Sequence, residues 1–154
     1  MTVSLVAAAC GSTNSAAETT EATTTTTAPS TTSQAAAAPV DSGQLQSLIP
    51  TPANSEATGP DTIPNNGVHL HYKVNAAPND AMQAYKAALT DKGWAVTTIV
   101  SSGGGEGGGG ATFTGTHGEA YGVFDGGGFA STTFIDVCAW PTKPADPNCS
   151  RGER

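Results

Sequence analysis

Positive charge is scarce in this chain. Its 154 residues include 6 Lys and Arg against 13 Asp and Glu, which gives a formal net charge of -7. The first basic residue is Lys73. Nucleic-acid binding needs clustered Lys and Arg to neutralise phosphates, and electrostatic docking on anionic lipid needs a polybasic patch. The composition therefore argues against nucleic acid and against an anionic lipid surface as partners.

Long apolar runs and aromatic residues are also rare. Phe, Trp and Tyr make up 6% of the chain, and 19 Gly and 10 Pro interrupt regular structure. No stretch reaches the roughly 20 apolar residues that a membrane-spanning helix needs. We therefore expect any attachment to a membrane to use an anchor.

The N-terminal segment has the features of such an anchor. Residues 4–10 read SLVAAAC, and this pattern resembles a bacterial lipobox, in which the cysteine thiol receives a diacylglycerol and the signal is cut before it. Gly11 and Ser12 fit the polar residues that follow such a site. We expect residues 1–9 to be the end of an export signal whose basic start lies upstream, and Cys10 to be lipidated. The alternative is an ordinary signal peptide with an incidental cysteine.

A low-complexity tract follows Cys10. Thr, Ala, Ser and Pro dominate up to residue 40, without an apolar period. Such a tract cannot bury enough surface to offset its conformational entropy, so residues 10–40 are predicted to form a disordered tether. Thr- and Ser-rich stalks with Pro are typical sites of O-glycosylation, and a plain linker without sugar is the alternative.

Residues 41–67 are predicted to be an irregular, Pro-rich lead-in to a folded domain. Leu45, Leu48 and Ile49 are spaced for one short helical turn. Regular structure beyond that turn is disfavoured by four prolines, since proline lacks an N–H and blocks helix interiors. These prolines are Pro50, Pro52, Pro60 and Pro64.

Residues 68–150 are predicted to be a small α+β domain, followed by a tail at 151–154. The sequence VHLHYKV alternates apolar and polar residues from Val68 to Val74, as a half-buried strand does. The next segment predicts a helix capped by Asn79 or Asp80. Its buried stripe and its C-terminal stop are formed by Met82, Tyr85, Leu89, Gly93 and Trp94.

Four further strands complete the predicted domain. Residues 95–102 are β-branched, and the glycine-rich residues 103–110 predict a mobile loop. Turns are predicted at His117-Gly118 and at residues 125–128, with a final strand over 129–140. The order β-α-β-β-β-β gives a two-layer α+β domain with one helix on a mostly antiparallel sheet. Whether the first strand lies at an edge or at the centre stays open.

Cys138 and Cys149 are predicted to form a disulfide. They enclose ten residues, three of them proline, and an exported location would permit the bond. In the entropy model a loop of this size contributes somewhat under 3 kcal/mol. The alternative is a pair of metal-binding thiolates, for which the neighbouring sequence supplies no partner.

Two sets of residues are candidates for chemistry. His69 and His71 project from one strand face and are weak candidates for a metal, with His117 on a separate turn. The carboxylates considered for an acid/base pair were Glu106, Glu119, Asp125 and Asp136. Asp136 faces away from its apolar neighbours Ile135 and Val137, so solvent exposure is expected.

Residues 103–110 lack the Lys of a phosphate-binding loop and precede a strand. We expect no cofactor and no catalytic residues.

The blocks VAAAC, AALTDKGWAV, GGGGATFTGTHGEAYGVF and CAWPTKPADPNC, together with the Thr tract, resemble a mycobacterial-type threonine-rich envelope lipoprotein. The resemblance implies lipidation at Cys10, exposure on the outer face of the cell membrane, and association with an envelope glycolipid or protein. The sequence thus predicts a non-catalytic, lipid-anchored binding domain. The alternatives are a carrier of hydrophobic ligands and a metal-dependent hydrolase.

Overall fold

The computed structural model describes residues 40–149. The expectations for the signal at 1–9, for Cys10, for the tether up to residue 39 and for the tail at 151–154 lie outside these residues. Within the described part, no helix is long and apolar enough to cross a membrane.

The described residues form one antiparallel sheet with two α-helices, and this confirms the predicted α+β fold class. The helices are α1 (Ser42–Leu48) and α2 (Pro78–Asp91). The strands are β1 (Ser55–Ile63), β2 (Gly67–Val74), β3 (Ala95–Gly103), β4 (Gly108–His117), β5 (Ala120–Phe129) and β6 (Thr132–Trp140). Their order across the sheet is β1-β2-β6-β5-β4-β3.

Strand β2 is the second strand from one edge of the sheet, between β1 and β6, a position that the sequence leaves open. Val68, Leu70, Tyr72 and Val74 are all buried, and they face the helices as their alternation predicts. The intervening residues of β2 face the other side of the sheet, which we call the outer face.

Helix α2 is the predicted helix, with a different start. It begins at Pro78, and its N-cap is Ala77, which makes no side-chain hydrogen bond. Proline suits this first position because its missing N–H has no partner in a helix anyway. The predicted capping by Asn79 or Asp80 is therefore wrong. The predicted stop is confirmed, since Gly93 has φ +93° and the Trp94 N–H donates to the Leu89 carbonyl at 3.0 Å.

The lead-in at 41–67 is more regular than predicted. Helix α1 begins with a capping box in which Asp41 and Gln44 satisfy each other's backbone N–H groups. Strand β1 follows and pairs with β2, so the domain has six strands and two helices rather than five and one. Strand β1 could not be predicted from the sequence, because an exposed edge strand has no buried face that would make apolar and polar residues alternate.

The loop predicted at 103–110 is shorter than expected, and the prediction of a turn at 125–128 is wrong. Strand β3 extends to Gly103 and β4 starts at Gly108, leaving a short 3-10 turn at Gly105–Gly107. Residues 125–128 lie inside β5, and the chain turns at Ala130 instead. The predicted turn at Gly118 is confirmed, with φ +60°. The glycines of β4 and β5 pair with one another across the sheet, as Gly110 does with Gly127.

Both helices pack on the inner face of the sheet, and one glycine shows how closely. A Cβ atom at Gly126 would clash with the Met82 sulfur, so any larger residue would force the Met82 side chain of α2 to shift. Trp94 joins the layers, because its indole donates to the Leu48 carbonyl at 2.9 Å and its ring meets Phe124 edge-on. The outer face carries a smaller apolar cluster around Tyr121 and Trp140.

Candidate functional site

The outer face brings the two candidate metal histidines onto one carboxylate. His69 Nε2 lies 3.2 Å and His71 Nδ1 lies 2.9 Å from Oδ1 of Asp136. The histidine side chains keep 15% and 18% of their surface exposed. His117 does not join them, because its ring packs 5.8 Å from the ring of Trp94.

The expected solvent exposure of Asp136 is wrong. Its alternation places it on the outer face as predicted, but it is 0% exposed. The register explains this burial, since His71 lies directly opposite Asp136 on β2 and Asp125 lies opposite it on β5. Neighbours on both sides therefore enclose the carboxylate, and His69 covers it diagonally.

Asp125 continues the polar contacts toward the edge of the sheet. It is 6% exposed and accepts a hydrogen bond from the hydroxyl of Thr112 on β4. We call these five residues the outer network: His69, His71, Asp136, Asp125 and Thr112. The network spans four adjacent strands, β2, β6, β5 and β4. The other two candidate carboxylates, Glu106 and Glu119, lie in exposed turns.

A disulfide joins Cys138 and Cys149 beside this network, with Cα atoms 5.5 Å apart. This is the pairing that the sequence predicts. The sequence predicts no metal-ligand partner near these two cysteines, and this prediction is wrong. His69 lies opposite Cys138 in the β2–β6 ladder, and one of its ring nitrogens and both sulfurs lie within 4.8 Å of one another.

The inner side carries a cleft that no sequence motif indicates. It opens between α2 and the β3–β4 hairpin and has a volume of about 350 Å³. Lys86 on α2 donates to the Thr98 hydroxyl at 2.8 Å, and its ammonium lies 5.6 Å from the ring centroid of Phe113. We call it the inner cleft, and its lining residues are Asn79, Met82, Gln83, Lys86, Thr98, Ser101, Ser102, Gly103, Gly110, Ala111 and Phe113.

The chemistry of the inner cleft is mixed. Its floor is apolar, while Asn79 and Gln83 supply side-chain amides and β3 supplies hydroxyls. Lys86 is the one charged residue of its lining. Gly103 leaves the rim open, because a Cβ atom there would have no neighbour within 4 Å. The cleft therefore offers hydrogen-bond donors and acceptors, an aromatic surface and a single cation.

A second depression runs along the alanine face of α2. This alanine groove has a volume of about 370 Å³ and is lined by Ala81, Ala84 and Ala88 together with the loop around Asn54. Tyr85 lies at its base. Burial raises the pKa of Tyr85 well above its usual value of 10.0, and the nearby Tyr72 raises it further. Among residues 40–149 the Tyr85 hydroxyl has no hydrogen-bond partner.

Tyr72 differs from Tyr85 in its partner. Burial also raises the pKa of Tyr72, but a side-chain hydrogen bond with Thr51 acts in the opposite direction. The two buried tyrosines thus form a natural pair for comparison, one satisfied and one not.

No family model matches the chain, and no curated protein or solved structure is significantly similar to it.

Proposed function

We propose that this protein is a lipid-anchored, exported protein of the cell envelope, whose α+β domain binds the glycan part of an envelope glycolipid or polymer without transforming it. The observation that carries the binding role is the inner cleft. The lipobox-like VAAAC and the threonine-rich tract support the anchor at Cys10 and display on the outer face of the membrane.

The lining of the inner cleft favours a sugar as ligand. Sugars present hydroxyls that pair with amide and hydroxyl side chains, and C–H faces that pack on apolar or aromatic surfaces. Asn79, Gln83 and Ser101 supply the first kind of contact, and Phe113 supplies the second. A volume of about 350 Å³ is near the lower end for small-molecule sites, so one terminal sugar or headgroup fits better than a long polymer segment.

Lys86 gives the cleft a preference for ligands that carry a negative charge. Its side chain reaches from α2 to β3, where a hydrogen bond to Thr98 already orients the ammonium. A phosphate or carboxylate on the sugar would form a charge-assisted hydrogen bond there, stronger than a neutral one.

The outer network supports a structural role for the carboxylates rather than catalysis. Asp125 accepts from Thr112, and Asp136 is contacted by both histidines, so these contacts tie neighbouring strands together. The depression next to Asp125 has a volume of about 90 Å³, far below that of an ordinary substrate site.

The binding role is tested by calorimetric titration of the full chain. The probes are mannose- and arabinose-containing oligosaccharides, each with and without a phosphate. We expect Lys86→Ala to weaken binding of the phosphorylated sugar roughly 10- to 150-fold, because a hydrogen bond to a charged group contributes about 1.5–3 kcal/mol. Lys92→Ala is the matched control, since Lys92 is an exposed lysine just after the same helix. Equal affinities of the two variants, or no binding of any probe, would contradict the proposal.

The anchor is tested separately. Cys10→Ala is expressed from a gene with a complete export signal, and cells are fractionated into membrane and aqueous phases. We expect the variant to leave the membrane fraction. Full retention in the membrane fraction would rule out lipidation at Cys10.

The alanine groove favours a second function, that of a carrier for a small hydrophobic ligand. Ala84→Leu would fill this groove, whereas Ala87→Leu, on the same helix but outside the lining, is the matched control. The probe is a fluorescent fatty acid. Saturable binding that is lost only in Ala84→Leu would favour the carrier, and no saturable binding to the unmodified chain would exclude it.

A further inference from the structure

Three potential metal-binding side chains meet at one corner of the outer face. Cys138 on β6 and Cys149 at the end of the following loop are joined by a disulfide, and His69 lies across from Cys138 on β2. A His69 ring nitrogen and the two sulfurs fall within 4.8 Å of one another. In the disulfide form the sulfurs are poor ligands, because metals bind the thiolate.

The environment of His69 suits a metal ligand. Its Nε2 lies 3.2 Å from Asp136 Oδ1, and an Nε2–H hydrogen bond to this oxygen leaves the lone pair of the ring on Nδ1. Histidines that bind metals commonly donate their other N–H to a carboxylate in this way, which fixes the ring and raises its basicity.

We propose that reduction of the Cys138–Cys149 disulfide creates a binding site for one zinc-class cation. The cation is held by the two thiolates and by His69, and water takes the fourth position. Two thiolates and one imidazole are soft and borderline ligands, which favour Zn²⁺ and Co²⁺ over Mg²⁺ and Ca²⁺. The site lies on the face opposite the inner cleft and does not depend on the function proposed for that cleft.

The reductant is a dithiol, and the exchange balances. Its thiolate attacks the sulfur of Cys149, which is half-buried, whereas Cys138 is 1% exposed. The S–S bond breaks, and Cys138 leaves as a thiolate beside His69. The second thiol of the reductant then displaces Cys149, so the reductant becomes a cyclic disulfide and two electrons pass to the protein. The two protons of the dithiol reside on the cysteines and are released when the cation binds.

The loop that carries Cys149 keeps it near the site after reduction. Three prolines within residues 139–148 restrict its conformations, and the ammonium of Lys143 lies 5.0 Å from the ring centroid of Tyr121. When a metal binds, the two sulfurs have to separate from their S–S bonding distance, so that each can form a Zn–S bond of about 2.3 Å. Once the S–S bond is broken, Cys149 at the end of the loop supplies that movement.

The test uses the full chain with Cys10→Ser, so that Cys138 and Cys149 are its only cysteines. The protein is reduced with a phosphine and titrated with Co²⁺, then with Zn²⁺ as competitor. We expect one Co²⁺ per chain, with the visible bands of tetrahedral cobalt and a thiolate charge-transfer band, all of which Zn²⁺ abolishes. The oxidised protein should show none of these bands. A reduced protein without the tetrahedral spectrum, or an oxidised protein that binds equally well, overturns the proposal.

Two histidine variants identify the third ligand. His69→Gln should weaken Co²⁺ binding by about tenfold or more, since loss of a ligand costs at least as much as loss of a second-shell partner. His71→Gln is the matched control, because His71 contacts the same Asp136 oxygen but lies outside the three-ligand cluster. Near-ultraviolet circular dichroism checks that both variants keep the fold. Equal Co²⁺ affinities of the two variants would remove His69 from the site.

Discussion

The two faces of the sheet are built by the same strands but bury different groups. On the inner face, β2 and β5 pack apolar side chains and glycines against two helices, with Trp94 between the layers. On the outer face, the alternate residues of the same strands form a polar network beside a disulfide. Burial and close packing of apolar side chains therefore stabilise the inner face, whereas the outer face depends on contacts between specific polar atoms and on the disulfide.

The largest effect is expected from the inner face. Trp94→Ala removes a 2% exposed side chain that packs on Phe124 and donates to the Leu48 carbonyl. Truncation of a buried Trp costs about 3–5 kcal/mol, a large part of the stability of a small domain. Urea unfolding followed by circular dichroism measures it. A loss below about 1 kcal/mol would show that the inner core does not depend on this residue.

The next effect lies on the outer face. Replacing both Cys138 and Cys149 by Ser opens a loop whose ends are 11 residues apart, and should lower the free energy of unfolding by somewhat under 3 kcal/mol. Reduction of the unmodified protein in metal-free buffer is the matched measurement and should give a similar loss. If neither change lowers the urea midpoint, the disulfide does not hold the outer face together.

A smaller loss is expected within the outer network. Asp136→Asn keeps the shape of the side chain but replaces one carboxylate oxygen by an amide nitrogen, so fewer of the buried polar contacts can form, and it should cost about 1–2 kcal/mol. Asp91→Asn, at the exposed end of α2, is the control and should change stability by less than about 0.5 kcal/mol. Equal effects of the two substitutions would contradict a special role for the buried carboxylate.

The smallest expected effect is a gain in stability, and it distinguishes the two buried tyrosines from each other. Tyr85→Phe removes a hydroxyl that no described residue pairs with, so it should leave stability unchanged or raise it by up to about 1 kcal/mol. Tyr72→Phe removes the hydrogen bond with Thr51 and should lower stability by about 1 kcal/mol. Thermal unfolding at pH 7 compares them. Destabilisation by Tyr85→Phe equal to that by Tyr72→Phe would mean that the Tyr85 hydroxyl is satisfied.

The raised pKa of Tyr85 also predicts how the free energy of unfolding depends on pH. The pKa of Tyr85 is raised in the folded state, so the folded protein holds this proton more tightly than the unfolded chain. Its contribution is fully present below the unfolded pKa of about 10 and is lost as the pH rises above that value. Tyr85→Phe should therefore unfold less readily than the unmodified protein at pH 11. Identical alkaline unfolding curves would contradict the raised pKa.

Part of this fold could be predicted from the sequence. Strand β2 and helix α2 each bury one face, so their residues alternate at the period of the element, and both were predicted close to their observed bounds. Strand β1 has no buried face, and the glycines of β4 and β5 have low β propensity. In these segments the strand is imposed by backbone pairing with neighbours, which a local pattern does not encode.

The candidate sites could also be predicted only in part from local sequence patterns. Alternation placed His69, His71 and Asp136 on their faces of the sheet, but their meeting depends on the register of β2 against β6. The burial of Asp136 and the approach of His69 to the disulfide follow from that register. The inner cleft arises where α2 leaves part of the β3–β4 hairpin uncovered, and its residues come from three elements with no shared motif.

The central claim, that ligand binds at the inner cleft and not on the outer face, is tested most directly by nuclear magnetic resonance. The ¹⁵N-labelled full chain is titrated with a phosphorylated mannose oligosaccharide. We predict amide shifts at Gly103, Gly110 and Lys86, which line the cleft, and none at His69, His71 or the remote turn residue Gly118. Shifts centred on the outer face, or no shifts at saturating sugar, would contradict the account.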